Sequence, residues 1–325
     1  MMTRPDRRSV LQGLAGGIAA SALPPAIMPG PAFAQPWIPQ RASARVIVDN
    51  DFEGDPDGLV ALAHQLLADK TRTVLITSSL VDPKLSTYPE GTATIEGAKL
   101  AAELVAQIPS AKGIPIKAGR DGARKGRPSD AAKAIVTEAM RDDPLPLIFT
   151  CGGPLSNLAD ALELEPRIAG RIASVVWIGG GNWPDGGWEF NLATDIEAAR
   201  HVIERTKIPF WQVPQNAYRQ MQMSVAELAA DMRATSPLGR WIYDKFTTPP
   251  AFVDLGGTWP MGDSPLTLLT ALTTESSKAV DRTARRIKPD CTYGEEIAGR
   301  QIKVLEQIDV RLTWADFVAR LKLAA

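Results

Sequence analysis

Val46-Ile47-Val48-Asp49-Asn50-Asp51-Phe52-Glu53-Gly54-Asp55-Pro56-Asp57-Gly58 is an apolar run that breaks into five acids within nine residues. An amphipathic stretch, Leu59 to Leu67, follows at once. The order reads as strand, acidic loop, helix. Carboxylates crowded at one strand end repel each other unless something positive stands among them. A hard divalent cation meets that need, because it takes several oxygen ligands. The carboxyl ends of strands are also where open α/β sheets bind their ligands.

Other readings of the segment are weaker. Asp49, Asp51, Glu53 and Gly54 match the first half of an EF-hand loop. The twelfth position is Val60, where a bidentate Glu is required, and a strand precedes the loop where a helix should. Asp49 and Asp51 could be the nucleophile and acid of an Asp-x-Asp phosphatase, but Glu53 stands where Thr or Val is usual. Solvated surface acids are the plain alternative, and the strand-end position weighs against it.

Working outward, short apolar runs alternate with helical patterns. Strands are expected at 44–49, 73–78, 114–118, 145–150, 172–178 and 208–213, and helices at 57–68, 91–107, 129–141, 154–163, 194–205 and 264–273. Alternation of this kind predicts an α/β fold: an open, mostly parallel sheet with helices on both faces. Pro115, Pro146 and Pro209 fall at strand starts, where a missing donor costs little. Residues 214–262 are less regular. Thr313-Trp314-Ala315-Asp316 reads as a capping box opening a last helix over 314–322, and 276–325 carries a strand-and-helix pattern whose role the sequence leaves open.

The amino terminus reads differently. Arg7-Arg8 precedes a weakly apolar stretch, and Ala32-Phe33-Ala34 offers a small-x-small cleavage site. This predicts a twin-arginine (Tat) signal over 1–34, a linker over 35–43, a domain over 44–325, and a periplasmic or secreted protein. Gly13, Gly16, Gly17, Pro24 and Pro25 make a spanning helix poor, so stable membrane insertion is not expected. A net charge of −1 offers no basic field for nucleic acid. The two cysteines, Cys151 and Cys291, are expected as free thiols. Both histidines, His64 and His201, fall in expected helices, which argues against a zinc site or a Ser-His-Asp triad.

Three distant segments join the acidic loop. Leu147 to Asn157 is strand, glycine turn, helix, and Gly152 and Gly153 let backbone approach a ligand closely. Trp177 to Asn191 is a long polar loop whose Asn182, Glu189 and Asn191 suit sugar hydroxyls. Gly262-Asp263-Ser264-Pro265 places an acid at a helix start, where the dipole favours an anion.

In this order the motifs resemble the inosine–uridine-preferring nucleoside hydrolase family over roughly residues 44–275. That family opens with strand-Asp-x-Asp-Pro-Gly-x-Asp-Asp-helix, matched by Asp49-Asn50-Asp51 and then Asp55-Pro56-Asp57-Gly58. Its Thr-Gly-Pro-Leu-Thr-Asn looks like Cys151 to Asn157, and its Glu-Phe-Asn looks like Glu189-Phe190-Asn191. Its late His-Asp-Pro looks like Gly262-Asp263-Ser264-Pro265. The resemblance implies a bound Ca2+ that chelates the ribose 2′ and 3′ hydroxyls and an attacking water, with an Asp taking the water's proton. On that basis Asp51, Asp55, Asp263 and a backbone carbonyl of Cys151 or Gly152 hold the metal, with Asp49 close behind, and Asp57 is the proton acceptor. The implied partner is a small ribosyl compound. Members are often dimers or tetramers, though nothing in the sequence locates an interface.

The chain departs from the family in three places. The tandem acid pair has become Asp55-Pro56-Asp57 with an insertion, and Gly58 follows, so Asp55 and Asp57 compete for the roles of ligand and base. The Cys151-Gly152-Gly153-Pro154 turn is one residue longer. Gly262 stands where many members have the His that protonates the leaving base. Trp183, Trp188 and Trp259 are candidates to clamp a purine instead, or to stack on a sugar. The expected activity is N-glycosidic hydrolysis of a ribonucleoside. The alternatives are another glycoside on the same fold, or a ribosyl-binding protein without turnover.

Overall fold

Each expected strand forms, and each of the three prolines lies just before one. The computed structural model describes residues 38, 40–84, 86, 88–122, 128–249 and 256–324. The signal expected over 1–34 lies outside them. The strands are β1 (Ala44–Asn50), β2 (Thr71–Ser78), β3 (Ile116–Ala118), β4 (Leu147–Cys151), β5 (Ile172–Ile178), β6 (Phe210–Val213), β7 (Gln222–Ser224), β8 (Thr258–Pro260), β9 (Lys278–Ile287) and β10 (Tyr293–Gln307). Pro115, Pro146 and Pro209 supply only carbonyls to the ladder, accepting from Ile76, Arg45 and Val175.

Eight strands make one sheet in the order β3-β2-β1-β4-β5-β6-β10-β9. Within this sheet every described pairing is parallel except that of β9 with β10, and β7 and β8 form a separate antiparallel pair. The order runs outward one way from β1 and the other way from β4, so the two central strands flank the switch point. Ligands of doubly wound sheets bind in the crevice beyond the carboxyl ends there. The last segment completes the sheet, since β10 pairs with β6.

The helices are α1 (Asp57–Leu66), α2 (Ala93–Val105), α3 (Asp130–Met140), α4 (Ser156–Leu164), α5 (Phe190–Thr194), α6 (Ile196–Arg205), α7 (Gln215–Tyr218), α8 (Val225–Leu228), α9 (Pro237–Lys245), α10 (Pro265–Ala271) and α11 (Val310–Leu323). They cover both faces. Val46 and Val48 of β1 share an apolar cluster with α1, α2, α10 and α11, while Ile47 shares the other with α3, α4 and α6. All seven residues of β1 are buried, as a central parallel strand requires. From residue 40 onward the chain makes one unit. Among the described residues, no helix is long and apolar enough to cross a membrane.

One expected boundary is wrong. The last helix starts at Val310, not after Thr313, because Asp309 is its cap and accepts from Leu312 N at 2.8 Å. Thr313 lies inside the helix, where its hydroxyl donates back to the Asp309 carbonyl at 2.7 Å. Asp316 is used elsewhere, bonded to His64 and Arg320.

Candidate active site

At the carboxyl end of β1 the chain changes from apolar to acidic, and the first acid is fully enclosed. Asp49 Oδ2 accepts from Thr77 Oγ1 at 2.5 Å and Asn157 Nδ2 at 2.7 Å, and Cys151 Sγ lies 3.5 Å from Oδ1. Asp49 therefore ties β1 to β2, β4 and α4. Burial lifts its pKa to about 6, against the lowering effect of those hydrogen bonds. It stands behind the site and no part of it is exposed.

The next acids face one another. Asp51 closes a turn with its carbonyl, accepting from Gly54 N, and its carboxylate takes a hydrogen bond from its own backbone N–H. Asp55 Oδ1 accepts from Asp57 N at 3.0 Å, the short Asx link that sets the start of α1. Asp57 Oδ2 accepts from Asp263 N at 3.0 Å, so the acidic loop is bonded directly to the start of α10. Pro265 opens that helix, where a missing N–H is harmless.

The turn after β4 supplies backbone. A Cβ on Gly152 would overlap Asn50 Nδ2 and come within 2.6 Å of Asp263 Oδ2. One on Gly153 would stand 2.9 Å from Asp51 N. Both glycines are thus required by close approach of backbone to the acids. Asn191 Nδ2 donates to the carbonyls of Gly152 (3.1 Å) and Ile178 (2.9 Å), and Trp177 Nε1 donates to Gly153 O at 2.9 Å. The Gly152 carbonyl retains its second lone pair.

These acids are charged against each other. Burial, then the charges of Asp263, Asp55 and Asp49, hold the Asp51 carboxyl well above the usual range. Burial, then Asp263 and Asp55, do the same to Asp57. Asp263 is raised by burial and by Asp55 and Glu189, with a hydrogen bond from Asn50 Nδ2 at 2.8 Å pulling the other way. Asp55 is thus the common neighbour of Asp51, Asp57 and Asp263. No arginine or lysine stands among the main charges acting on these three. Among the described residues, no three His, Cys, Asp or Glu side chains already have their donor atoms at the spacing of a shared ion. The fit to a cation lies in donor chemistry: carboxylate and carbonyl oxygens only, with negative charge left unmatched. Asp51, Asp55, Asp263 and the Cys151–Gly152 backbone are the residues that could hold it.

The remaining expected residues divide. Glu189 is buried, and its two oxygens accept from Gly180 N, Leu192 N, Asn191 N and Tyr218 Oη. It caps α5 and closes the loop from within. Asn182 is exposed, and its carbonyl accepts from Gly186 N at 2.7 Å. The tryptophans expected as a clamp are not assembled. Trp259 is turned into the core, 2% exposed and edge-on to Phe246 at 4.9 Å, because β8 pairs with β7 and points it inward. Trp183 packs on Tyr293 and lines a separate hollow of ≈ 330 Å³ with Pro184, Asn216, Arg282, Leu305 and Glu306. Trp188 is 63% exposed.

Gly262 faces Tyr218: a Cβ there would lie 3.1 Å from Tyr218 Cδ2 and 3.4 Å from Asp57 Oδ2. Neither histidine reaches this place. His64 Nε2 is bonded to Asp316 at 2.8 Å, and His201 faces Glu163 at 3.4 Å. Cys151 and Cys291 are free and buried, as expected. Two site residues escaped the sequence reading. Asn50 stands between two acids and is the one polar residue of that run without charge. Tyr218 carries no local signal.

The model of the family described as inosine-uridine preferring nucleoside hydrolase matches residues 46–315. The chain is 28% identical over 134 residues to the pyrimidine-specific ribonucleoside hydrolase RihA of Salmonella arizonae, covering 38% of this chain and 42% of the relative. It is 29% identical over 182 residues to the inosine-uridine preferring nucleoside hydrolase of Crithidia fasciculata, covering 47% and 54%. The chain thus spans about half the length of these curated relatives. Among solved structures, an inosine-guanosine nucleoside hydrolase superposes with a TM-score of 0.68 at 16% identity, covering 86% of this chain and 99% of that one. The plant nucleoside hydrolase PpNRh1 gives 0.66 at 18%, with the same coverage. At such identities the superpositions speak for the fold, and the family model speaks for membership. The acidic loop after β1, the glycine turn after β4 and the acid at the start of α10 all fall within the matched span, and the chain belongs to the inosine-uridine preferring nucleoside hydrolase family.

Proposed function

We propose that the chain is a calcium-dependent N-glycosyl hydrolase acting on a ribonucleoside or a related ribosyl compound. The observation that carries this is the group of buried acids, Asp51, Asp57 and Asp263, around the half-buried Asp55, with no cationic side chain among the main partners of the buried three. Calcium suits a set of carboxylate and carbonyl oxygens, and when bound it supplies polarisation of water and of ribose hydroxyls. Asp57 takes a proton from water through Oδ1, since Oδ2 is held by Asp263 N. The water oxygen then bonds to the anomeric carbon as the bond from that carbon to the base nitrogen breaks, and the base leaves with the electron pair. Asp51 is the competing acceptor, because its carboxylate stands among the same acids, Asp263 and Asp55. Replacing each by Asn separates them: the acceptor loses turnover and keeps the ion, while the ligand loses the ion.

A second reading, a ribosyl-binding protein, draws on the unassembled tryptophans and the lack of a histidine beside Gly262. Inosine, adenosine and uridine, each incubated with the protein plus calcium or plus chelator, decide between them by release of free ribose. Release that stops with chelator supports the hydrolase. Calcium-dependent binding without release would replace it with the binding protein. We further propose export by the twin-arginine route, supported by Arg7-Arg8 and Ala32-Phe33-Ala34. Changing both arginines to lysine should leave the protein in the cytoplasm, and unchanged export would end that proposal.

A further inference from the structure

Asn50 is the last residue of β1 and is 1% exposed. Its neighbours in sequence are Asp49 and Asp51, yet its side chain turns toward neither. Asn50 Nδ2 donates to Asp263 Oδ2 at 2.8 Å, across 213 positions of sequence. The other end of the amide faces α1: a Cβ on Gly58 would lie 2.6 Å from Asn50 Oδ1. A Cβ on Gly152 would overlap Asn50 Nδ2. One neutral amide therefore fills the space between the first turn of α1, the turn after β4 and the acid that opens α10.

This explains a glycine that the backbone does not require. Gly58 lies inside α1 with no left-handed φ, and glycine in a helix costs about 1 kcal/mol against alanine. The Asn50 amide leaves no room for a Cβ. It also explains how Asp263 is held. With Oδ2 bound to Asn50, the carboxylate cannot rotate freely, and Oδ1 remains for another partner. A neutral donor can stand beside Asp263 at no charge penalty, whereas another carboxylate there would add repulsion that only a cation could offset.

We propose that Asn50 is a positioning residue that sets how strongly the acid group holds a divalent cation. It orients Asp263, and its neutral amide occupies a place where a carboxylate would bind the ion more tightly. The inference rests on the cation reading above and names a residue that the reading does not need. Residues that hold a ligand in orientation typically change metal affinity 10- to 100-fold when removed, and ligand charge count tunes calcium affinity.

The test is calcium binding by calorimetry on the purified full chain, with thermal unfolding in chelator and in calcium as a second readout. Asn50→Ala should weaken calcium binding about 10- to 100-fold. Asn50→Asp should strengthen it at least about tenfold, lower the melting temperature in chelator and raise the gain from added calcium. Gly58→Ala, which displaces the amide, should weaken calcium binding as Asn50→Ala does. The double variant should then lose no more than either single change. If Asn50→Ala and Asn50→Asp both bind calcium like the wild type, Asn50 only packs, and the inference is overturned while the cation reading stands. If the wild type itself binds no calcium, the cation reading fails and takes the inference with it. Should Asn50→Asp not fold, Gly58→Ala against Asn50→Ala still decides.

Discussion

The two ends of β1 both gather acids and treat them in opposite ways. At the amino end, Arg45 is 3% exposed and reaches Glu138 Oε1 at 2.5 Å and the Leu145 carbonyl at 3.0 Å. Asp143, beside it, is shared by Arg72 at 2.6 Å and Arg141 at 2.7 Å. The Leu145 backbone N–H and these arginines hold the Asp143 carboxyl below its ordinary range. At the carboxyl end, Asp51, Asp57 and Asp263 are buried, raised, and without a cationic side chain among their main partners. The matched end closes the strand against its neighbours. The unmatched end, at the switch point of the sheet, leaves charge for something the chain does not itself provide.

That contrast can be broken in several ways. The largest effect should come from Asp57→Asn. Asparagine can still accept from Asp263 N, but it cannot take a proton at neutral pH, so ribose release should fall about 10²–10⁴-fold. Calcium binding, followed by calorimetry, should stay near that of the wild type. Lost calcium binding with retained turnover per loaded molecule would exchange the roles of Asp57 and Asp55.

Arg45→Met attacks the other end. It removes one arginine from Glu138, which keeps Arg141, and one from Asp143, which keeps two. Losing these charged hydrogen bonds should cost about 1–3 kcal/mol in denaturant unfolding. Turnover per folded molecule should not change. A fall in turnover equal to that of an acid-cluster variant would mean that the two ends are coupled.

Asp55→Asn removes the common neighbour of the other acids. Its calcium affinity should drop at least about tenfold, and excess calcium should recover part of the ribose release. A variant that no amount of calcium rescues would place Asp55 in the chemistry instead.

The smallest effect concerns pH at the matched end. The folded pKa of Asp143 lies below its unfolded value, so its contribution is fully present above the ordinary 3.8 and is lost as pH falls through the folded value. Asp143→Asn removes that component. The melting temperature of the variant should therefore fall less than that of the wild type between about pH 5 and about pH 2. Parallel curves would show that the arginines there do not discriminate the charged form.

Much of this molecule could be read along the chain. Every strand expected from 44 to 213 exists, because apolar runs of that length between helical patterns have few other ways to bury themselves. The acids after β1 and the glycines after β4 were visible as local departures from an apolar pattern, and Asp263 as an acid at a helix start. Local pattern was incomplete where a side chain's partner is chosen by the fold, or where two neighbouring residues offer the same role. Trp259 looks like any loop tryptophan until β8 pairs with β7 and turns it into the core. Glu189 reads as a polar loop residue, and the fold shows its oxygens also capping that loop. Thr313 mimics a cap four residues inside a helix that Asp309 already starts.

Strand order, the meeting of Asp263 with Asp57, and the place of Asn50 against Gly58 were decided by folding. Periodicity reports which face of an element is apolar, and nothing in it says which strand lies beside β1 or which helix start comes to rest across its end. Those follow from packing two apolar clusters on opposite faces of one sheet, which brings residues more than two hundred positions apart within hydrogen-bonding distance. Charge type and spacing are local and were legible in the chain. Whether a charge is neutralised, as at Arg45, or left unmatched, as around Asp55, depends on neighbours that only the folded sheet assembles.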